Sequence, residues 1–216
     1  MRPAAFFDLD RTVIRVNSAT RYVQWLIRRG EARRRDLLSV FWWVTQYTLG
    51  VLDAEDLARR IARTLQGRDE SEFRELLRQW VHEELMPHVS TKARQEITRR
   101  REQGYLCAVL TSSTHYSAEP IAHALDIQHV LASRLDVIDG RFTGQVVPPL
   151  CYGHGKVILA EQWARAHQVD LDRSVFYTDS ISDRPMLERV GERVVVNPDP
   201  RLWWLARRRG WPIEYW

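Results

Sequence analysis

Two carboxylates, Asp8 and Asp10, follow directly on a short apolar run in the segment 6–12, FFDLDRT. The run from Ala4 to Phe7 has no polar alternation, which suits a strand buried on both faces of a parallel sheet. Acids two positions apart leave such a strand on one side. Like charges that close repel unless a cation or a shared proton relieves them. Chemistry that wants this pair includes phosphoryl transfer through a carboxylate nucleophile, with a divalent metal neutralising the charge. The competing reading is a surface turn with two solvated acids.

Three other places could complete such a site. The apolar segment 106–110 runs into Thr111, Ser112 and Ser113, a hydroxyl followed by backbone amides that could cradle an anion. Serine and threonine are also ordinary strand-end residues. The segment YTDSISD sets Asp179 and Asp183 four positions apart. A hard cation takes one or two protein carboxylates and fills its shell with waters and phosphate oxygens, so Asp179 is the expected ligand and Asp183 a supporting group. The alternative is that Asp179 or Ser182 caps the next helix. Lys156, in GHGKVILAEQW, opens a helix where its charge opposes the helix dipole. That misfit favours a task for the lysine, and the flanking Gly153 and Gly155 allow close approach. His154 reads as a surface residue.

These positions need elements to hold them. Apolar segments at 106–110, 130–132, 175–177 and 194–196 read as further strands, and helical patterns separate them at 91–103, 116–125, 155–167 and 182–190. Ser90 is a candidate N-cap and Gly104 a stop. Alternating strands and helices predict a doubly wound parallel sheet. One interruption is the pair 135–138 and 142–146 around Asp139 and Gly140, a β-hairpin signal. The stretch 17–86 has no convincing strand and predicts four helices, at 18–29, 36–48, 53–65 and 70–85, with Gly30, Gly50 and Gly67 as stops. The second carries Val40, Phe41, Trp42, Trp43, Val44 and Tyr47, a cluster that could pack the insert, line a pocket or touch a membrane.

Composition sets the outer limits. At 216 residues and 44% hydrophobic content the chain can bury a proper core. It has no apolar run long enough to span a membrane and no signal-peptide pattern. With two cysteines, Cys107 and Cys151, in no metal-binding spacing, the expected location is cytoplasmic. Net charge is +4, and among 32 basic residues only Lys92 and Lys156 are lysine. The arginine runs at 33–35, 99–101 and 207–209 read as solvated helix faces, so no nucleic-acid partner is expected. The C-terminal Trp203, Trp204, Trp211 and Trp216 leave core packing, a dimer contact or peripheral membrane contact open, and the oligomeric state is undetermined.

Taken together, the motifs resemble the haloacid dehalogenase superfamily of phosphatases, in the subgroup similar to phosphoserine phosphatase. The matching residues, in order, are Asp8 and Asp10 with Thr12, then Thr111, Lys156, and Asp179 with Asp183. The resemblance implies an α/β, Rossmann-like core of residues 1–16 and 87–216 with strand order 5-4-1-2-3, and a helical cap of residues 17–86. It implies that Asp8 is the nucleophile that becomes an aspartyl phosphate and Asp10 the general acid and base. Asp8, the Asp10 carbonyl and Asp179 would bind Mg2+. Thr111, Ser112 and Lys156 would bind the phosphoryl group, with Asp183 ordering Lys156 or the metal's waters. The implied partner is a small phosphomonoester.

The chain also departs from the family pattern. Arg11 replaces a common glycine, and Ser112 and Ser113 replace two more. Nine positions beyond Asp8, where phosphoserine phosphatases carry an acid that grips the substrate ammonium, stands Asn17. Phosphoserine is therefore disfavoured, and histidinol phosphate or a lysophospholipid takes its place. A phosphotransferase would use the same residues, and a non-catalytic nucleic-acid or membrane-surface protein is the alternative of another class.

Overall fold

The computed structural model describes residues 1–33 and 54–216. The expected helix at 36–48, its aromatic cluster, Gly50 and two of the arginines at 33–35 lie outside the described residues. The strands are β1 (Ala4–Phe7), β2 (Leu106–Thr114), β3 (His129–Ile138), β4 (Arg141–Val147), β5 (Val175–Thr178), β6 (Glu192–Val196) and β7 (Ile213–Glu214). They form one sheet in the order β4-β3-β2-β1-β5-β6-β7, in which only the β3–β4 pair is antiparallel. The five central strands keep the expected order 5-4-1-2-3.

Residues along each strand alternate between two cores. Ala5, Phe7, Val109, Val175 and Tyr177 face one cluster, and Ala4, Phe6, Ala108, Leu110 and Phe176 the other. On the first face lie α4 (Thr91–Glu102), which contributes Ile97, and α5 (His115–Ala124), which contributes Tyr116 and Ile121. On the second lie α6 (His154–His167), α7 (Arg184–Arg189) and α8 (Pro200–Arg209), through Val157, Ala160, Met186, Leu187, Leu202 and Ala206. With both faces covered, the unalternated apolar character of β1 follows. Ser90 does cap α4, accepting from the Ala93 amide at 3.3 Å.

The insert contains α1 (Ser18–Arg28), α2 (Ala54–Thr64) and α3 (Glu70–Trp80). The expected single helix at 70–85 is instead α3, a wide π-type turn at Val81–Leu85 and a tight 3-10 turn at Met86–His88. Leu77, Trp80, Val81 and Leu85 keep to one buried face through the change of helix type, and Pro87 cannot donate to a continuing helix. At 182–190 the helix begins later than expected, after a 3-10 turn at Ile181–Asp183.

The hairpin is larger than an excursion. Its first arm is the continuation of β3, and its second, β4, receives the insert. The Gly67 amide donates to the Phe142 carbonyl at 2.8 Å, the Phe142 amide to the Arg68 carbonyl at 3.1 Å, and the Glu70 amide to the Gly140 carbonyl at 2.8 Å. Phe73 packs edge-on against Phe142 and Tyr116, with ring centroids 5.2 and 5.4 Å apart. Insert residues Trp25, Phe73, Leu77 and Trp80 thereby share one apolar cluster with Phe7 and Val109 of the sheet.

The C-terminal tryptophans divide. Trp216 packs on Tyr177 with ring centroids 5.4 Å apart, Trp211 lies against the second core, and Trp204 is 65% exposed. Among the described residues no helix is long and apolar enough to cross a membrane. Cys107 and Cys151 are buried free thiols.

Candidate active site

The C-terminal ends of β1, β2 and β5 meet the start of α6, and each brings polar groups. The Asp8 amide extends the ladder by donating to the Tyr177 carbonyl at 2.9 Å, which fixes the first acid at the sheet's edge. Beyond it the chain turns tightly, with the Ile14 amide donating to the Leu9 carbonyl at 2.9 Å. Leu9, Val13 and Ile14 are wholly buried and anchor the turn. Arg11 adopts φ +55, a left-handed conformation that a glycine would take without strain. Its carbonyl accepts from the Asn197 side-chain amide at 2.8 Å, and its guanidinium, half exposed, stands 3.9 Å from Asp179.

Lys156 reaches the site because α6 starts abnormally close to the preceding loop. A Cβ on Gly155 would lie 1.9 Å from the Leu150 carbonyl oxygen, so only glycine fits. Gly153, at φ +51, supplies the turn before it. The lysine is 1% exposed, and its Nζ donates to Asp8 Oδ1 and to Asp183 Oδ2, each at 2.7 Å. Thr178 Oγ1 donates to the same Asp183 oxygen at 2.6 Å. His154 is exposed, as its sequence context suggests.

Asp179 is 7% exposed, and among the described residues no hydrogen bond reaches its carboxylate. It is no helix cap: Ser180 Oγ accepts from the Ser182 amide, and Asp199 accepts from the amides of Ile181 and Leu202 at 2.7 and 2.9 Å. Asp10 lies opposite. Its Oδ2 accepts from Ser18 Oγ at 2.9 Å, the Ser18 amide at 3.1 Å and Asn17 Nδ2 at 3.3 Å, while Oδ1 is buried without a partner among the described residues. Thr12 Oγ1 is a second buried polar atom without one.

The expected end of the second strand at Thr111 is corrected. β2 runs on to Thr114, because Thr111 pairs with Ala132 and Thr114 with Ser133, leaving Ser112 and Ser113 as extra residues in a bulge. A bulge of this kind turns residues out of the ladder. Thr111 is 1% exposed, and its Oγ1 accepts from the Ser113 amide at 3.2 Å, so one of the two amides of the expected cradle is already engaged.

Burial shifts Asp8, Asp10 and Asp179 of this cluster upward. Burial is the largest influence on Asp8, outweighing the lowering by Lys156, and its carboxyl is pushed up to about 7. Burial also lifts Asp10, to about 6, against the hydrogen bonds from Ser18. Asp179 rises through burial and the neighbouring charges of Asp8 and Asp183. A carboxyl that titrates higher in the folded than the unfolded chain contributes stability that is complete below about pH 4 and is lost as pH climbs through the folded value. For Asp10 and Asp8 that window runs up to about 6 and about 7.

The donor set fits a hard cation. No closed cage of three side-chain ligands exists among the described residues. Two oxygen ligands with open positions are, however, what Mg2+ accepts. The buried carboxylate of Asp179, which takes no hydrogen bond among the described residues and is raised by burial and by the charge of Asp8, is the observation that favours a positive charge beside it.

Known proteins with this arrangement decide the family. Residues 5–188 match the haloacid dehalogenase-like hydrolases. The chain belongs to this family. A probable phosphatase of Mycobacterium tuberculosis is 34% identical over 98% of the chain and 75% of its own length. A histidinol-phosphatase of Neisseria meningitidis is 29% identical over 99% of the chain and 98% of its own length. A solved phospho-aspartyl intermediate analogue of phosphoserine phosphatase superposes with a TM-score of 0.73 at 19% identity, covering 99% of this chain and 93% of that one. The protein is thus a haloacid dehalogenase-type phosphatase with the Rossmann-like fold of these hydrolases.

Sequence reading missed two residues of this hydrolase's polar cluster. Thr178 directly precedes Asp179, and a hydroxyl at the last position of a buried strand was a readable signal. Ser18 offered none, because its partner Asp10 is reached only through the fold of the intervening turn.

Proposed function

We propose that this phosphatase is a Mg2+-dependent hydrolase of small organic phosphomonoesters that works through an aspartyl phosphate on Asp8. The observation that carries the reading is the contact of one buried lysine, Lys156, with both Asp8 and Asp183 at 2.7 Å. Such a lysine can orient the Asp8 carboxylate and then offset charge on a phosphoryl group beside it. Asp8 attacks phosphorus as the bond to the ester oxygen breaks, and Asp10 gives its proton to that oxygen. Asp10 then takes a proton from the water that opens the aspartyl phosphate. Thr111 and Ser112 bind phosphoryl oxygens, and Asp183 with Thr178 keeps Lys156 in place. Asp8, the Asp10 carbonyl and Asp179 would hold Mg2+, which when bound neutralises charge between carboxylates and phosphate.

In the proposed division, residues 1–16 and 87–216 form the catalytic core and 17–86 a cap that selects the substrate. Asn17 bears on selection. Its Oδ1 accepts from the amide and hydroxyl of Thr20, both at 3.0 Å, and its Nδ2 is directed at Asp10. It carries no charge to grip a substrate ammonium. Phosphoserine and histidinol phosphate both carry that ammonium, so it is the histidinol-phosphatase relative that supports histidinol phosphate over phosphoserine, with lysophospholipids as the further candidates. The buried free thiols are compatible with a cytoplasmic location.

Phosphate release from histidinol phosphate, phosphoserine, a lysophospholipid and an aryl phosphate, with Mg2+ and with EDTA, tests the proposal. Turnover that EDTA abolishes and that favours histidinol phosphate is expected. Undiminished turnover in EDTA would overturn the metal, and a preference for phosphoserine would overturn the substrate. A second measurement follows from the raised carboxyls. Mg2+ must displace protons that Asp8 and Asp179 retain in mild acid, so its increase in thermal midpoint over EDTA is expected to be larger at about pH 8 than at about pH 5. An increase independent of pH would place the cation elsewhere.

A further inference from the structure

Asp10 can serve as the acid only if its proton sits on the correct oxygen, and what surrounds its two oxygens differs sharply. Among the described residues Oδ2 accepts three hydrogen bonds, from the hydroxyl and amide of Ser18 and from Asn17 Nδ2, and Oδ1 accepts none. All three donors belong to the N-terminal end of α1, where backbone dipoles favour negative charge. An oxygen that accepts three hydrogen bonds is the acceptor oxygen of a carboxyl, which leaves Oδ1 as the oxygen to carry a proton.

The Ser18 hydroxyl has no other task of comparable weight. Asn17 already caps α1 by accepting from the Thr20 amide. Ser18 is 6% exposed, so its hydroxyl needs a protein partner, and besides Asp10 it has, among the described residues, only Ser113 Oγ, at 3.3 Å in the β2 bulge.

We infer that Ser18 is a positioning residue for proton transfer: its hydroxyl and amide hold Asp10 Oδ2, so that Oδ1 delivers the proton to the departing ester oxygen. The inference rests on the function proposed above. When Asp8 bonds to phosphorus and the phosphorus–oxygen ester bond breaks, the electron pair goes to the ester oxygen and the Oδ1 proton follows it. The requirement for that proton depends on the leaving group. An alkoxide needs it, whereas an acidic phenolate departs without it.

The test compares Ser18→Ala, Ser18→Thr and Ser18→Val on histidinol phosphate, an alkyl ester, and on p-nitrophenyl phosphate. In Ser18→Ala, kcat on the alkyl ester is expected to fall about tenfold or more and kcat on the aryl ester less than about threefold. KM is expected to stay within about threefold on both. Thr and Val are equal in shape and differ in the hydroxyl. Ser18→Thr is therefore expected to retain alkyl-ester turnover that Ser18→Val loses, which keeps the test decisive if the alanine variant folds poorly. Equal losses on both esters, no loss on the alkyl ester, or Thr no better than Val would overturn the inference. Failure of the proposed function looks different: the unaltered protein would hydrolyse neither ester, or would hydrolyse them equally well as Asp8→Asn.

Discussion

Asp8→Asn is expected to lower phosphate release by at least about 10⁴-fold while the thermal midpoint moves by no more than about 3 °C. The two halves of this result have separate causes. An amide cannot form the acyl phosphate, so the covalent route closes. Its oxygen can still accept the hydrogen bond that Lys156 now gives to Asp8 Oδ1 at 2.7 Å, and the side chain keeps its volume at a position that is 6% exposed. Steady-state release assays and thermal melts on the same preparation read both. Substantial remaining turnover would mean that water attacks phosphorus directly, and the aspartyl-phosphate route would be lost. A large fall in the midpoint would show that Asp8 is chiefly a structural partner of the lysine.

Lys156→Met is expected to be costly in both respects. The lysine is the one buried ammonium among the described residues, and it compensates Asp8 and Asp183 in a space that excludes water. Removing one partner of a buried ion pair leaves uncompensated charge and costs about 3–5 kcal/mol, roughly 6–20 °C in a chain of this size. Turnover is expected to fall at least about 100-fold, since the charge offered to the phosphoryl oxygens goes with it. Lys156→Arg will not restore activity, because a planar guanidinium cannot occupy the compact position from which one nitrogen meets two carboxylates. Adding Asp183→Asn to Lys156→Met should recover part of the stability and none of the activity. A loss of less than about 1 kcal/mol in the single variant would mean that Asp8 takes up a proton readily in the folded protein.

Much of the candidate site was legible because its residues are tied to strand ends. Asp8 and Asp179 each stand at the end of a short segment without polar alternation, the pattern of a buried parallel strand, and such strands present their C-terminal ends together. Lys156 was legible by its misfit: a lysine in a chain that otherwise uses arginine, at the wrong end of a helix for its charge. Other features depended on partners distant in sequence. The π-type turn at Val81–Leu85 arises from packing against the sheet, the β2 bulge from its pairing with β3, and the short strand β7 from a free edge on β6. Local propensity carries little information on any of these.

The sequence by itself determined which groups could do chemistry and the alternation of strands and helices, since periodicity and spacing act over a few residues, while the order of the central strands was implied by the family resemblance. Tertiary structure alone decided how those groups are used. It set Lys156 between Asp8 and Asp183, left the Asp179 carboxylate without a hydrogen bond among the described residues, brought Ser18 of the insert onto Asp10, and made the hairpin the platform on which the insert rests. Hydrogen bonds and charge interactions act over a few ångströms of space, and only the folded chain brings residues 8, 18, 156 and 183 within that range.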